Sequence, residues 1–110
     1  MNSELILGSN GGKTKTGTAT APSGTTPVRM SISLDFEPDI FVWIGGSSKI
    51  GNTWCNPNTT NIGTYATVWW NSMTANSAGN PTNQTVWDGS TITVDAESTL
   101  QYDWYAVKFA

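Results

Sequence analysis

The sequence predicts an all-β protein, an antiparallel β-sandwich or jelly-roll-like fold of roughly six to eight short strands. Three observations lead there. The chain is poor in the helix formers Ala, Leu, Glu and Lys and rich in Thr, Val, Ile and Trp. Its apolar residues recur with period two, and no stretch repeats them at helical spacing. Turn-forming residues interrupt the extended runs about every 8 to 12 residues.

The first 27 residues differ from the rest. Gly8 to Gly12 reads as a glycine-rich bend. Lys13 to Thr20 alternates Lys and Thr with small residues and carries no large apolar side chain. Such a strand is solvated on both faces or lies along a partner. Residues 1–27 are therefore expected to form an arm or an edge strand, and residues 28–110 a single sandwich domain. A length of 110 residues fits one domain.

Val28 to Phe36 is the cleanest alternation. Val28, Met30, Ile32, Leu34 and Phe36 share one face, and Arg29, Ser31, Ser33, Asp35 and Glu37 the other. Successive side chains of a strand point to opposite faces, so this strand has a core side and a wet side. Pro38 ends or bends it, because proline cannot donate to a ladder. Asp39 to Ile44 then runs nearly all apolar, which predicts burial on both faces. Gly45 to Ser48 is a turn, Lys49 to Trp54 a weaker strand, and Asn56 to Asn61 a loop.

Tyr65 to Trp70 is extended again, and Asn76 to Asn83 is a loop around Gly79 and Asn80-Pro81. Thr85 to Trp87 and Ser90 to Val94 read as a hairpin, with Asp88-Gly89 supplying the two positive φ values of a type I′ turn. Asp95 to Ser98 is the next turn. Leu100 to Phe109 is the last strand and is apolar or aromatic on both faces, which predicts a central place in a sheet or in a subunit interface.

Composition excludes several function classes. There is no histidine and one cysteine, Cys55. A Ser-His or Cys-His nucleophile pair is therefore excluded, as are a His/Cys zinc site and an intrachain disulfide. The net charge is -3, the wrong sign for a nucleic-acid footprint. The longest apolar run, Ile40 to Ile44, falls far short of the roughly 20 residues that span a bilayer. Met1 to Leu7 has neither the basic start nor the apolar stretch of a signal peptide. No metal or cofactor is expected. Cys55 reads as a small hydrophobe.

Two groups could carry function. Asp35, Glu37 and Asp39 are the densest carboxylates, and Asp35 with Glu37 has the makings of a glycosidase pair or a calcium site. The plainer reading is a solvated strand face before a proline bend, and no catalytic residue is assigned. Asp95 and Glu97 read as turn residues. The six tryptophans say more. Adjacent Trp69 and Trp70 point to opposite faces of any strand, so both cannot enter one core. Trp43 and Trp104 are expected in the core. Trp54, Trp69, Trp70 and Trp87, set among Asn and Thr, read as core or interface residues or, alternatively, as ligand-binding platforms for a sugar ring.

The segment Leu34-Asp35-Phe36-Glu37-Pro38-Asp39-Ile40-Phe41-Val42-Trp43-Ile44 resembles the "L-x-F-x-P-x-x-V-x-I" unit of small β-rich phage virion proteins, such as tail-fibre, receptor-binding or capsid-decoration modules. Thr16 to Thr20 resembles the Thr/Gly-rich start of those proteins, and Tyr102 to Phe109 their closing aromatic strand. About a third of the chain takes part, and Ile50 to Trp87 does not align. The resemblance implies a place on the virion surface and frequent trimers. With no catalytic group and no signal peptide read, the chain is expected to be a non-enzymatic structural protein made in the host cytoplasm, a homo-oligomer with a trimer favoured, touching other virion proteins and, as a fibre tip, host-surface glycans. Lys13, Thr14, Lys15, Thr16 and Tyr105 are the expected assembly residues. A lectin-like carbohydrate-binding module is the alternative.

Overall fold

The computed structural model describes residues 12–47, 50–56 and 85–109, which form seven strands and no helix. These are β1 (Lys13–Thr20), β2 (Val28–Ser33), β3 (Ile40–Gly45), β4 (Ile50–Cys55), β5 (Val86–Trp87), β6 (Thr91–Ala96) and β7 (Gln101–Lys108). They build two antiparallel sheets, β1-β7-β3-β4 and β2-β6-β5. The two sheets face each other as a sandwich. The expected strand Tyr65 to Trp70 and the loop Asn76 to Asn83 lie outside the described residues.

The alternation of β2 places Val28, Met30 and Ile32 in the core and leaves Arg29, Ser31 and Ser33 exposed. The strand ends at Ser33 rather than Phe36, yet Leu34 and Phe36 stay buried and the Leu34 N–H donates to the Ser90 carbonyl at 2.9 Å. Pro38 stands where the chain crosses from one sheet to the other. Beyond it, the Asp39 N–H donates to the Val107 carbonyl. The strand-Pro-strand unit is therefore the corner that joins the two layers.

Phe41 and Trp43 of β3 are buried, whereas Ile40 and Val42 are half-buried and Ile44 is 38% exposed. The expectation that both faces of this strand are covered is thus corrected. Among the described residues the second sheet covers only one face, and on the other Ile40 and Val42 are half-buried and Ile44 exposed. β7 does occupy the expected central place, between β1 and β3.

The inner face of the four-stranded sheet reads in rows across the strands. Gly17, Trp104, Trp43 and Asn52 form one row, and Lys15, Ala106, Phe41 and Trp54 the next. Phe41 stacks on Trp104 with ring centroids 5.9 Å apart. Against this face pack Met30, Ile32, Ile92, Val94 and Ala96 from the other sheet. The Trp43 indole N–H donates to the Asp95 carbonyl of β6 at 2.8 Å. That bond ties one sheet to the other in a buried site, where an unmatched indole donor would be costly.

Three local expectations are also corrected. Asp95 is a fully buried strand residue ion-paired to Arg29, its register partner on β2 at 2.5 Å, and not part of a turn. The turn is instead Glu97 to Leu100, with Thr99 at φ +66°. Asn56 is buried, not a solvated loop residue. Its amide donates to the Glu37 carboxylate and to the Pro38 carbonyl, which pins the corner. In the β5–β6 hairpin the Asp88 N–H donates to the Thr91 carbonyl, so the two central residues are Gly89 and Ser90. Gly89 takes φ +103° and Asp88 does not have positive φ. Glycine at the first central position fits a type II′ turn, not type I′.

Candidate assembly surface

The outer face of the four-stranded sheet follows from the same registers. Thr16 on β1 stands opposite Tyr105 on β7, Tyr105 opposite Val42 on β3, and Val42 opposite Thr53 on β4. The flanking rows are Thr14, Val107, Ile40 and Cys55, then Thr18, Asp103, Ile44 and Gly51. Tyr105 is 41% exposed and Ile44 38%. An apolar strip of Ile40, Val42, Ile44, Tyr105 and Val107 therefore runs over the middle two strands, bordered by the threonines of β1. Exposed apolar area of this kind, rimmed by polar residues, is the usual mark of a contact surface.

Of the expected assembly residues, Thr14, Thr16 and Tyr105 are brought onto this one face. Lys13 and Lys15 are exposed too, but on the opposite face of β1, beside Lys108 and Ala106. The sequence reading missed Ile40, Val42, Ile44 and Val107. Their signal was present in the all-apolar run of β3, which reads as two-sided burial unless the sheet is covered on one side only.

At Gly17 β1 has no room for a side chain. A β-carbon at Gly17 would come within 2.6 Å of the Trp104 ring. The inner face of β1 is thus roofed by Trp104, while Thr14, Thr16, Thr18 and Thr20 face outward and are exposed.

The tryptophan platforms fare differently. Trp54 is corrected: it is 8% exposed, lies opposite Phe41 on the inner face, and belongs to the core, so its ring is not open to a sugar. Trp87 is half-buried against that core. Trp69 and Trp70 lie outside the described residues. The carboxylates are tied into the corner. Glu37 accepts the Asn56 amide at 2.8 Å, and Asp39 is buried and accepts the Phe109 N–H at 2.7 Å. Among the described residues no cluster of three His, Cys, Asp or Glu side chains could hold a metal, and no helix is long and apolar enough to cross a membrane. Burial pushes the Cys55 thiol above its ordinary pKa, away from the reactive thiolate.

Comparison with protein families, with curated proteins and with solved structures finds no match to this chain. The fold defines a class, an all-β sandwich of two antiparallel sheets, and among the described residues the outer face of the larger sheet exposes Ile44 and Tyr105.

Proposed function

We propose that this protein is a non-enzymatic structural module of a phage particle, exposed on the particle surface as a fibre, receptor-binding or capsid-decoration element that self-associates. The observation that carries the reading is the Tyr105 face: an apolar strip bordered by threonines, on a sheet whose other side holds the core. A sandwich of this kind suits a role in contact. Its ionisable groups are few, and those at the Pro38 corner and on β6 are occupied in holding the fold. The phage setting rests on the Leu34 to Ile44 segment and its resemblance to virion proteins.

Purified particles from a lysate that expresses this chain, analysed by mass spectrometry, test the reading. The chain is expected at stoichiometric abundance in the particle fraction. Its absence there, together with a strictly monomeric species by light scattering at tens of micromolar, would overturn the proposal. A Tyr105→Asp variant that folds but no longer enters particles would locate the contact on this face.

A further inference from the structure

We infer that the partner of β1 is β1 of a second copy, joined edge to edge and antiparallel about a two-fold axis at Gly17. This deepens the proposed self-association by naming its contact and its symmetry.

The argument begins with which backbone groups of β1 are used. The Ala21 N–H donates to the Leu100 carbonyl, and Ala21 and Leu100 continue the β1–β7 register. Antiparallel pairs alternate between hydrogen-bonded and non-bonded, so Lys13, Lys15, Gly17 and Ala19 turn their N–H and C=O groups toward β7. The β3 side of β7 agrees. There the Gly46 N–H donates to the Gln101 carbonyl, so the odd-numbered residues of β7 serve β3 and the even-numbered ones serve β1. Thr14, Thr16, Thr18 and Thr20 therefore aim their N–H and C=O groups outward from the sheet. β1 is the end strand, and no described strand pairs with that edge.

Monomeric proteins guard such an edge with proline, a bulge, charged residues (lysine above all) or a covering segment. β1 has no proline and no bulge, and its two charges, Lys13 and Lys15, lie together at one end of the strand. Its pairing is unbroken over eight residues, and every outward-facing residue is threonine, a good strand former. The two lysines sit on residues whose backbone already serves β7.

The strand is also self-complementary. With the axis at Gly17, Thr16 pairs with Thr18 of the second copy and Thr14 with Thr20, each pair occurring twice. Those four pairs supply about eight hydrogen bonds. Threonines then stand opposite threonines on the outer face, a favourable cross-strand pair. Lys15 stands opposite Ala19 of the second copy, so no lysine meets a lysine. A parallel arrangement in register would place Lys13 and Lys15 against themselves. At the axis Gly17 meets Gly17 as a non-bonded pair, where two strands approach most closely and bare α-carbons fit best. The result is a continuous eight-stranded sheet with both Tyr105 strips on one side.

Proline at an outward-facing position provides the test. Thr16→Pro removes a donor that β7 does not use and places its ring at the open edge, where sheets tolerate proline. Light scattering of the wild-type chain should give twice the 11.8 kDa mass. Thr16→Pro and, separately, Thr18→Pro should give the monomer mass with unchanged circular dichroism. Lys15→Pro, which breaks a β7 bond, should instead unfold or loosen the sheet. A wild-type monomer, a trimer, or a dimer that survives both Thr16→Pro and Thr18→Pro would overturn the inference. If either threonine variant loses its fold, Thr16→Lys with Thr18→Lys takes its place, since four like charges across the axis repel. A trimer or a chain found in particles without dimers would leave the proposed function standing and remove only this contact.

Discussion

Trp104 lies directly over the backbone of Gly17, with the register pairing the two residues on the inner face of the sheet. A β-carbon at position 17 would sit 2.6 and 2.8 Å from two carbons of the indole's six-membered ring. The ring cannot retreat easily, because it stacks on Phe41 in the core. Gly17→Ala is therefore expected to destabilise the fold by about 1–3 kcal/mol, the usual cost of overpacking. Thr18→Ala, one residue away and facing solvent, should change stability by no more than about 0.5 kcal/mol. Urea denaturation of both variants checks the pair. Equal midpoints would mean that the indole does not roof β1.

The pairing of Arg29 with Asp95 makes a different claim. The Asp95 side chain is fully buried while the guanidinium is 39% exposed. Exposure on one side weakens the Coulombic attraction, but removing the arginine leaves a buried carboxylate without its strongest donor. Arg29→Ala should cost about 1–3 kcal/mol, in the range for hydrogen bonds to charged groups. Asp95→Asn keeps the shape and should cost less than Asp95→Ala. Thermal unfolding of the three variants orders them, and a silent Arg29→Ala would show the pair to be incidental.

How far this fold could be read without coordinates depended on whether a residue's local pattern matched its tertiary surroundings. Val28, Met30 and Ile32 were legible because one clean alternation meets one covered face. Trp43 and Trp104 were legible as core for the same reason. Ile44 was misread because an apolar run is the same on paper whether its second face is covered or open. Trp54 was left between core and sugar platform because its strand carries polar Asn52 and Thr53, and Asn52 proves to be buried on the inner face with Trp54. Asp95 was misread because aspartate favours turns, and its partner Arg29 is far away in the chain. The candidate contact face was half legible: Thr16 and Tyr105 were both named, but only the register shows them side by side.

Tyr102 predicts an alkaline transition. Its ring is 2% exposed, and its hydroxyl oxygen accepts the Glu97 N–H at 2.9 Å, closing the β6–β7 turn. Burial raises its pKa most; the Glu97 N–H pulls it down, and the Glu97 carboxylate adds to the rise. The folded chain therefore holds the phenolic proton more tightly than the unfolded one, whose tyrosine titrates near about 10. The stability this confers is fully present below that value and is lost as pH rises through the folded pKa. Absorbance at alkaline pH should show one phenol ionising above the range of an unfolded tyrosine, and Tyr102→Phe should abolish that step. The same variant should lose about 0.5–1.5 kcal/mol at neutral pH, the worth of one hydrogen bond. A titration in which no phenol ionises above the range of an unfolded tyrosine would count against the arrangement.

The β5–β6 hairpin predicts a transition at the acid end. The Asp88 carboxylate accepts the Ser90 N–H at 2.9 Å and the Thr91 N–H at 2.7 Å. Those two donors, Ser90 first, hold its pKa below the ordinary carboxylate value. The folded hairpin therefore favours the ionised form. Its contribution is fully present above the unfolded carboxylate pKa near about 4 and fades as pH falls through the lower folded value. Amide exchange at Ser90 and Thr91 should accelerate as pH falls through that range, relative to the intrinsic rates at each pH, and Asp88→Asn should flatten the change. Gly89 tests the turn by a separate route. A β-carbon there meets nothing within 4 Å, so Gly89→Ala charges only for φ +103°. The expected loss is about 1 kcal/mol, from backbone strain alone. An alanine variant as stable as the wild type would show that Gly89 does not hold a positive φ and would overturn the type II′ turn.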